Sequence, residues 1–360
     1  GIVKAEDADK ILPYIDIDLP ESALLKNQMM MLDILANNDW ERPIYFTGGS
    51  YSDSEYLWMK KYLQLEGLVY KLVPIETDLG DENPYLMGRI DSDLMYDIVM
   101  QWEWGNSERL DIYHDPETRK NSISFRSNMA RLAETLINEG KVEKAKDILD
   151  LAIEKMPLDY FGYYSLLVPF VDGYYRIGEI EKARELSDNI AAKYSGRLNY
   201  FSSLDANLQY NLGEEIITEI ERYRTLVEAD LKHGETIELA PVLNQFIESI
   251  EPFRYLYGDY EFYTGLIDVA EGYFLDGQTA LAQDLSNKIS AEYDERLSLY
   301  SQISEDSQLQ LSSRIQRELN NFNYVVQIVK AYDSTAFGDQ IEGLFNKNLN
   351  LFSAILNSEE

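Results

Sequence analysis

Between residues 11 and 75 the chain alternates short β-type runs bounded by Pro and Gly with longer runs at helical spacing. Ile15, Asp16, Ile17, Asp18 and Leu19 alternate apolar and acidic positions, so residues 11–19 read as an edge strand with one wet face. Leu24, Leu25, Met29, Leu32 and Leu35 then recur at helical spacing before the stop at Asn37-Asn38-Asp39, which predicts a helix over 24–35. Residues 43–47 are a candidate buried strand ending at Gly48-Gly49. A second helix is expected from Ser52, whose Ser-x-x-Glu spacing to Glu55 satisfies reciprocal backbone donors, to a cap at Gly67. Residues 68–75 supply a third strand, so the segment reads β-α-β-α-β, and right-handed crossovers would make its strands parallel. An acidic loop over 76–83, a helix over 91–104 and a polar linker over 105–122 follow.

From residue 122 the spacing is helical to the end, with an internal repeat. Met129, Leu132, Ala133 and Leu136, then Ala145, Leu149 and Ala152 with Pro157 after them, follow the spacing of a tetratricopeptide helix pair. Gly140-Lys141-Val142-Glu143-Lys144-Ala145 aligns with Gly178-Glu179-Ile180-Glu181-Lys182-Ala183 at a shift of 38, and a third, degenerate copy begins at Gly277, a further 99 residues on. The later copies share Tyr174/Tyr273, Tyr194/Tyr293 and Arg197-Leu198/Arg296-Leu297. Further helices are expected over 214–232, 237–250, 306–332 and 340–356, about ten or eleven in all. The expected fold is mainly α with a small α/β part: a three-stranded layer over 1–120, then a degenerate tetratricopeptide-like array over 121–360.

Composition narrows the function classes. Sixty-four acidic against thirty-two basic side chains give a formal charge of −32, a field that repels phosphate backbones and argues against nucleic acid as a partner. The absence of Cys removes thiol catalysis, thiolate metal sites and disulfides together. No apolar run reaches the roughly 18 residues of a membrane helix. Without an initiator Met or signal-peptide core, and with Gly1 resembling the scar of a cleaved tag, the sequence is expected to be a piece of a longer protein.

Candidate chemistry is sparse. Only His114 and His233 are present, each read as an ordinary surface or loop histidine, and no nucleophile elbow, zinc-protease helix, dinucleotide fingerprint or P-loop occurs. No catalytic residue, metal ligand or cofactor is therefore assigned. Gly48 and Gly49 stand at a strand-to-helix junction where backbone amides could cradle an anion, or where a tight turn simply enters the helix. Trp40, Arg42 and Arg89 complete a candidate sugar or sugar-phosphate site around them, although Trp40-Glu41-Arg42-Pro43 equally suits a helix-to-strand corner. Glu76, Asp78, Asp81 and Glu82 lack the ligand spacing of a calcium loop, and Asp91, Asp93 and Asp97 suit helix capping. Of 27 tyrosines, several cluster in the helical part, and Tyr163, Tyr164, Tyr174, Tyr175, Tyr260 and Tyr263 are candidates for a partner-binding surface.

Asn38-Asp39-Trp40-Glu41-Arg42-Pro43-Ile44-Tyr45-Phe46 and residues 62–74, with residues 89–97, Trp104-Gly105-Asn106 and Phe125-Arg126, carry a family resemblance. Over about its first 160 residues the chain resembles the C-terminal soluble region of bacterial polytopic membrane proteins of unknown function related to protein O-mannosyltransferases. The resemblance implies an N-terminal membrane region of glycosyltransferase-C type, absent here, that would carry catalysis as a protein O-glycosyltransferase. It places this part in the periplasm or otherwise outside the cytoplasm, tethered to the inner membrane. Asp333-Ser334-Thr335 resembles an acceptor motif of bacterial periplasmic O-glycosylation. The leading expectation is a non-catalytic extracytoplasmic domain that binds an acceptor polypeptide or partner protein. The alternatives are the sugar or sugar-phosphate site in the α/β layer, and a structural brace or dimerisation module for the membrane part.

Overall fold

The structure is a computed structural model that describes residues 2–17, 19, 24–47, 56–80, 87–234, 238–257, 259–333 and 335–356. The chain is mainly helical with a small sheet, and divides into two compact units, Gly1–Glu179 and Ile180–Glu360.

The N-terminal unit holds helix α1 (Lys26–Asn37) and strands β1 (Tyr45–Thr47), β2 (Leu63–Glu66), β3 (Val69–Leu72) and β4 (Arg89–Ile90), then helices α2 (Ser92–Met100), α3 (Pro116–Asn138), α4 (Val142–Lys155), α5 (Leu158–Phe161) and α6 (Val168–Arg176). The strand order is β1-β3-β2-β4; β3 runs antiparallel to both β1 and β2, and β4 pairs parallel to β2. This corrects the expected parallel β-α-β-α-β layer. Residues 57–62 form a 3-10 helix and lead straight into β2, where a second α-helix was expected; Ser52 and Glu55 lie outside the described residues. Gly67 turns a β-hairpin instead of capping a helix: its φ of +67° suits the first position of a two-residue loop joining the antiparallel β2 and β3. All four β2 residues are buried because strands flank it on both sides and both its faces are covered, so the period-2 alternation that marks a half-buried strand is missing. Residues 11–17 and 19 form no strand; Leu12 N–H donates to Pro74 O and Asp16 N–H to the Tyr62 hydroxyl.

Helix α3 begins inside the segment read as a linker. Asp115 caps it, accepting from the backbone N–H groups of Glu117 and Thr118, and Pro116 supplies a preset first helical residue. Arg131 on α3 donates to the Tyr70 hydroxyl at 3.0 Å and to Met87 O at 2.8 Å, while the Asn128 amide donates to Gly67 O at 2.9 Å. The sheet and the helical hairpin α3/α4 therefore share one compact unit, which ends at Glu179, whereas the sequence places a boundary after residue 120.

The C-terminal unit is a tandem duplication. Helices α7 (Ile180–Ser202), α8 (Ala206–Asn211) and α9 (Gly213–Leu231) begin 99 residues before α13 (Thr279–Ser301), α14 (Glu305–Gln310) and α15 (Ser312–Tyr332); α10 (Ala240–Ile250) and α16 (Ala336–Leu356) follow them, with α11 (Arg254–Tyr257) and α12 (Asp259–Leu275) between the copies. Buried pairs at this shift include Ser187/Ser286, Tyr194/Tyr293, Glu219/Glu318, Tyr223/Phe322 and Phe253/Phe352. Gln209 and Gln308 close equivalent turns, donating to Ser202 O and Leu204 O in one copy and to Ser301 O and Ile303 O in the other. The period displayed here is thus 99 residues, with two long helices and one short helix at the start of each copy.

Candidate functional site

Of the residues singled out in the α/β layer, those described, Trp40 and Arg42 on one side and Arg89 on the other, do not converge on one place. Trp40 and Arg42 share the corner before β1, where Asp39 and Trp40 both take left-handed backbone angles, Glu41 N–H donates to Asn38 O, and the Asn38 amide donates to Arg42 O. Trp40 lines a cavity of about 290 Å³ whose other walls are almost wholly apolar, among them Ile15, Ile17, Leu32, Leu35 and Leu72. Arg89 lies on β4, at the opposite edge of the sheet from β1, and its guanidinium is held by Asp7 at 2.8 Å. Gly48 and Gly49 lie outside the described residues, as do Asp81, Glu82 and Ser334.

Arg89 belongs instead to a polar row across the sheet. The register aligns Tyr45, Lys71, Gln64 and Arg89 on successive strands, with Glu66 one step along the same face of β2. Glu66 accepts from the Tyr45 hydroxyl at 3.0 Å and from the Gln64 amide at 2.9 Å, and stands 3.4 Å from the Lys71 ammonium. Every charge in the row has an opposite partner, as buried charges require. Burial and the Glu66 carboxylate together push the Tyr45 phenol above its ordinary pKa.

The tyrosines divide by burial. Tyr174 and Tyr175 are buried in α6, and the Tyr174 hydroxyl donates to Asp150 at 2.8 Å, with burial the main cause of its raised pKa. They are core residues, which removes them from a partner-facing surface. Tyr163 is exposed at a left-handed backbone position, Tyr164 is half-buried, and Tyr263 is half-buried beneath the Arg254 guanidinium, 5.0 Å from its ring centroid. The Tyr260 side chain lies outside what the structure describes.

The cavity best equipped for a ligand forms from segments to which the sequence assigned no site. It measures about 480 Å³ and is half-open. Its floor is aromatic: Trp102 meets Trp104 at 5.7 Å and Phe125 at 5.0 Å between ring centroids, both edge-on, and Trp104 meets Phe125 at 5.4 Å. The two tryptophans follow the C-terminus of α2, and Trp102 also abuts Gly67, where a Cβ would stand 3.2 Å from its ring. Thr118, Asn121, Ser122 and Phe125 recur on one side of α3 at three- and four-residue spacing. His114, Met156, Phe161, Glu103 and Leu68 complete most of the wall.

His114 is held by its neighbours: its backbone N–H donates to the Tyr160 hydroxyl at 2.5 Å, that hydroxyl donates to Ile112 O at 2.9 Å, and the imidazole packs against Tyr160 and Phe161. Its Nε2 is buried and has no hydrogen-bond partner in the structure. This histidine, read from the sequence as ordinary, therefore carries unspent hydrogen-bonding capacity in the cavity wall. Behind the wall lies Arg126, fully buried, donating to Met156 O at 2.8 Å and Gly162 O at 2.5 Å, the carbonyls that bracket Phe161. Burial without a carboxylate partner lowers its pKa to about 10. The available signal for the site was the placement of two of the four tryptophans, Trp102 and Trp104, just ahead of a polar stretch that ends in the helix-start sequence Asp115-Pro116.

Among the described residues, no group of three or more His, Asp or Glu is placed to hold a metal ion, and no helix is long and apolar enough to cross a membrane. No curated protein and no solved structure matches the chain. Residues 1–94 match the family model of TMEM260-associated domain 2, a match that takes in the sheet and the start of α2 and stops before Trp102. Over that first part of its length, the chain is similar to a domain associated with TMEM260.

Proposed function

We propose that this chain is a non-catalytic, extracytoplasmic binding part of a membrane glycosyltransferase-like protein, and that the aromatic cavity of its N-terminal unit receives a segment of an acceptor polypeptide. The observation that carries the reading is the half-open cavity itself, whose half-buried Trp102, Trp104 and Phe125 keep part of their ring surface available to a guest. Aromatic side chains contribute large contact area at low entropic cost, which suits a site for an extended chain. Similarity to TMEM260-associated domain 2 supports the link to a membrane protein, and the resemblance carried by residues 38–46 and 62–74 supports the glycosyltransferase context. The test is tryptophan fluorescence and thermal shift with a panel of Ser/Thr-containing peptides. Saturable binding is expected, weakened at least tenfold in Trp104→Ala; a panel without any saturable response overturns the reading.

A second reading, a brace or dimerisation module, is favoured by one face of α1, where Met29, Met30 and Ile34 are each more than half exposed (59%, 57% and 58%). A dimer by light scattering that dissociates in Met30→Ser/Ile34→Ser would support it, and a monomer at high concentration would exclude the dimerisation form.

A further inference from the structure

We infer that the guest of the aromatic cavity is a pyranose ring, which deepens the proposed binding function and rests on it. A pyranose presents an apolar face of C–H groups and an equatorial rim of hydroxyls that both donate and accept. The cavity offers the counterpart of each. Its floor is the ring cluster of Trp102, Trp104 and Phe125, and an electron-rich aromatic face favours polarised C–H groups laid against it.

Around that floor stand hydrogen-bonding groups of different character. The Asn121 amide both donates and accepts, as does the Thr118 hydroxyl, and the Glu103 carboxylate accepts. His114 belongs to the same wall, and its Nε2, covered and without a partner in the structure, is costly to leave unpaired, so a guest hydroxyl that gained access to it would be favoured.

Other guests fit less well. An aliphatic or phenyl side chain would cover these polar groups without pairing them. A phosphate or nucleotide would meet Glu103 as the one charged side chain of the lining, on a chain of net charge −32. A volume of about 480 Å³ has room for one or two sugar rings and lies within the usual range of small-molecule sites.

The ring could arrive as a free saccharide or attached to the acceptor polypeptide, and the experiment separates the two. Tryptophan fluorescence and saturation-transfer NMR would be recorded with the methyl pyranosides of glucose, galactose, mannose and N-acetylglucosamine, with an O-glycosylated serine peptide, and with the same peptide unglycosylated. The expected result is saturable binding of at least one pyranoside, weakened at least tenfold in Trp104→Ala and severalfold in His114→Ala and in the exposed-site variant Asn121→Ala, and unchanged in Tyr210→Ala. Tighter binding of the glycopeptide than of the free sugar would identify the attached form; equal affinity would identify the free one. If the bare peptide binds as tightly as the glycopeptide and no pyranoside competes, the inference fails while the proposed function stands. If sugars bind but Asn121→Ala and His114→Ala are silent, the site lies elsewhere and the inference fails. If nothing binds, both fail.

Discussion

Arg126 shows how much one residue can hold in place. Its two terminal nitrogens tie Met156 O to Gly162 O, and so set the last turn of α4 against the α5 segment that carries Phe161 into the cavity wall. A Lys ammonium is a point charge without the planar fork that reaches both carbonyls. Arg126→Lys is therefore expected to lower stability by about 2 kcal/mol, and Arg126→Ala by roughly 3–5 kcal/mol, in urea unfolding monitored by circular dichroism. Gly88 is constrained differently: at φ +65° its Cβ would stand 2.2 Å from Leu63 O, so Gly88→Ala should cost about 2–3 kcal/mol and disturb the β2–β4 pairing. Asp93 accepts from Lys141 and Lys144, each at 2.7 Å, and their hydrogen bonds depress its pKa to about 2. A carboxylate titrating lower in the folded chain than in the unfolded one stabilises the fold above pH 4 and loses that contribution as pH falls toward 2. Asp93→Asn should flatten the acid limb of the stability curve between those values. If the wild-type and Asn curves run parallel there, the two lysines do not hold Asp93 as described.

Among the elements, α3 joins sheet, helical hairpin and cavity. Its start depends on Asp115, and removing that cap should cost about 1 kcal/mol. Because Thr118 and Asn121 sit in the first two turns, Asp115→Ala should also weaken whatever occupies the cavity, whereas loss of the same kind of cap in the C-terminal unit, Asp205 of α8, should affect stability alone. Comparing ligand titrations of the two variants checks this. The legibility of the elements follows the same logic. Helices with one wet face, such as α1, α9 and α16, were expected close to where they lie, because a 3.6-residue period survives in an amphipathic element. Strand β2 was not, since burial on both faces erases the alternation. The helix expected over 306–332 is in fact α14 followed by α15, with the break at Leu311 between them.

At the scale of the molecule, all four tryptophans, Trp40, Trp58, Trp102 and Trp104, fall in the unit that ends at Glu179. A fragment of residues 1–179 is expected to unfold cooperatively with a fluorescence transition matching that of the full chain in midpoint to within a few degrees. Residues 180–360 should give a cooperative transition visible by circular dichroism and silent in tryptophan fluorescence. Loss of cooperativity in either fragment would show that the compact units do not fold separately.

The mainly helical character, the high acidic charge and the duplication signal are legible along the chain, because periodicity, charge and self-similarity are local or additive properties. Residues 38–46 and 62–74 likewise carry a resemblance that the family match over residues 1–94 supports in part. The strand order, the antiparallel hairpin at Gly67, the pairing of Arg89 with Asp7 and the burial of Tyr174 and Tyr175 arise only when the elements pack. So does the cavity, whose lining is drawn from residues 68, 102–125, 156 and 161. Distant residues become neighbours only when sheet and helices pack, and no spacing along the chain records which faces will meet.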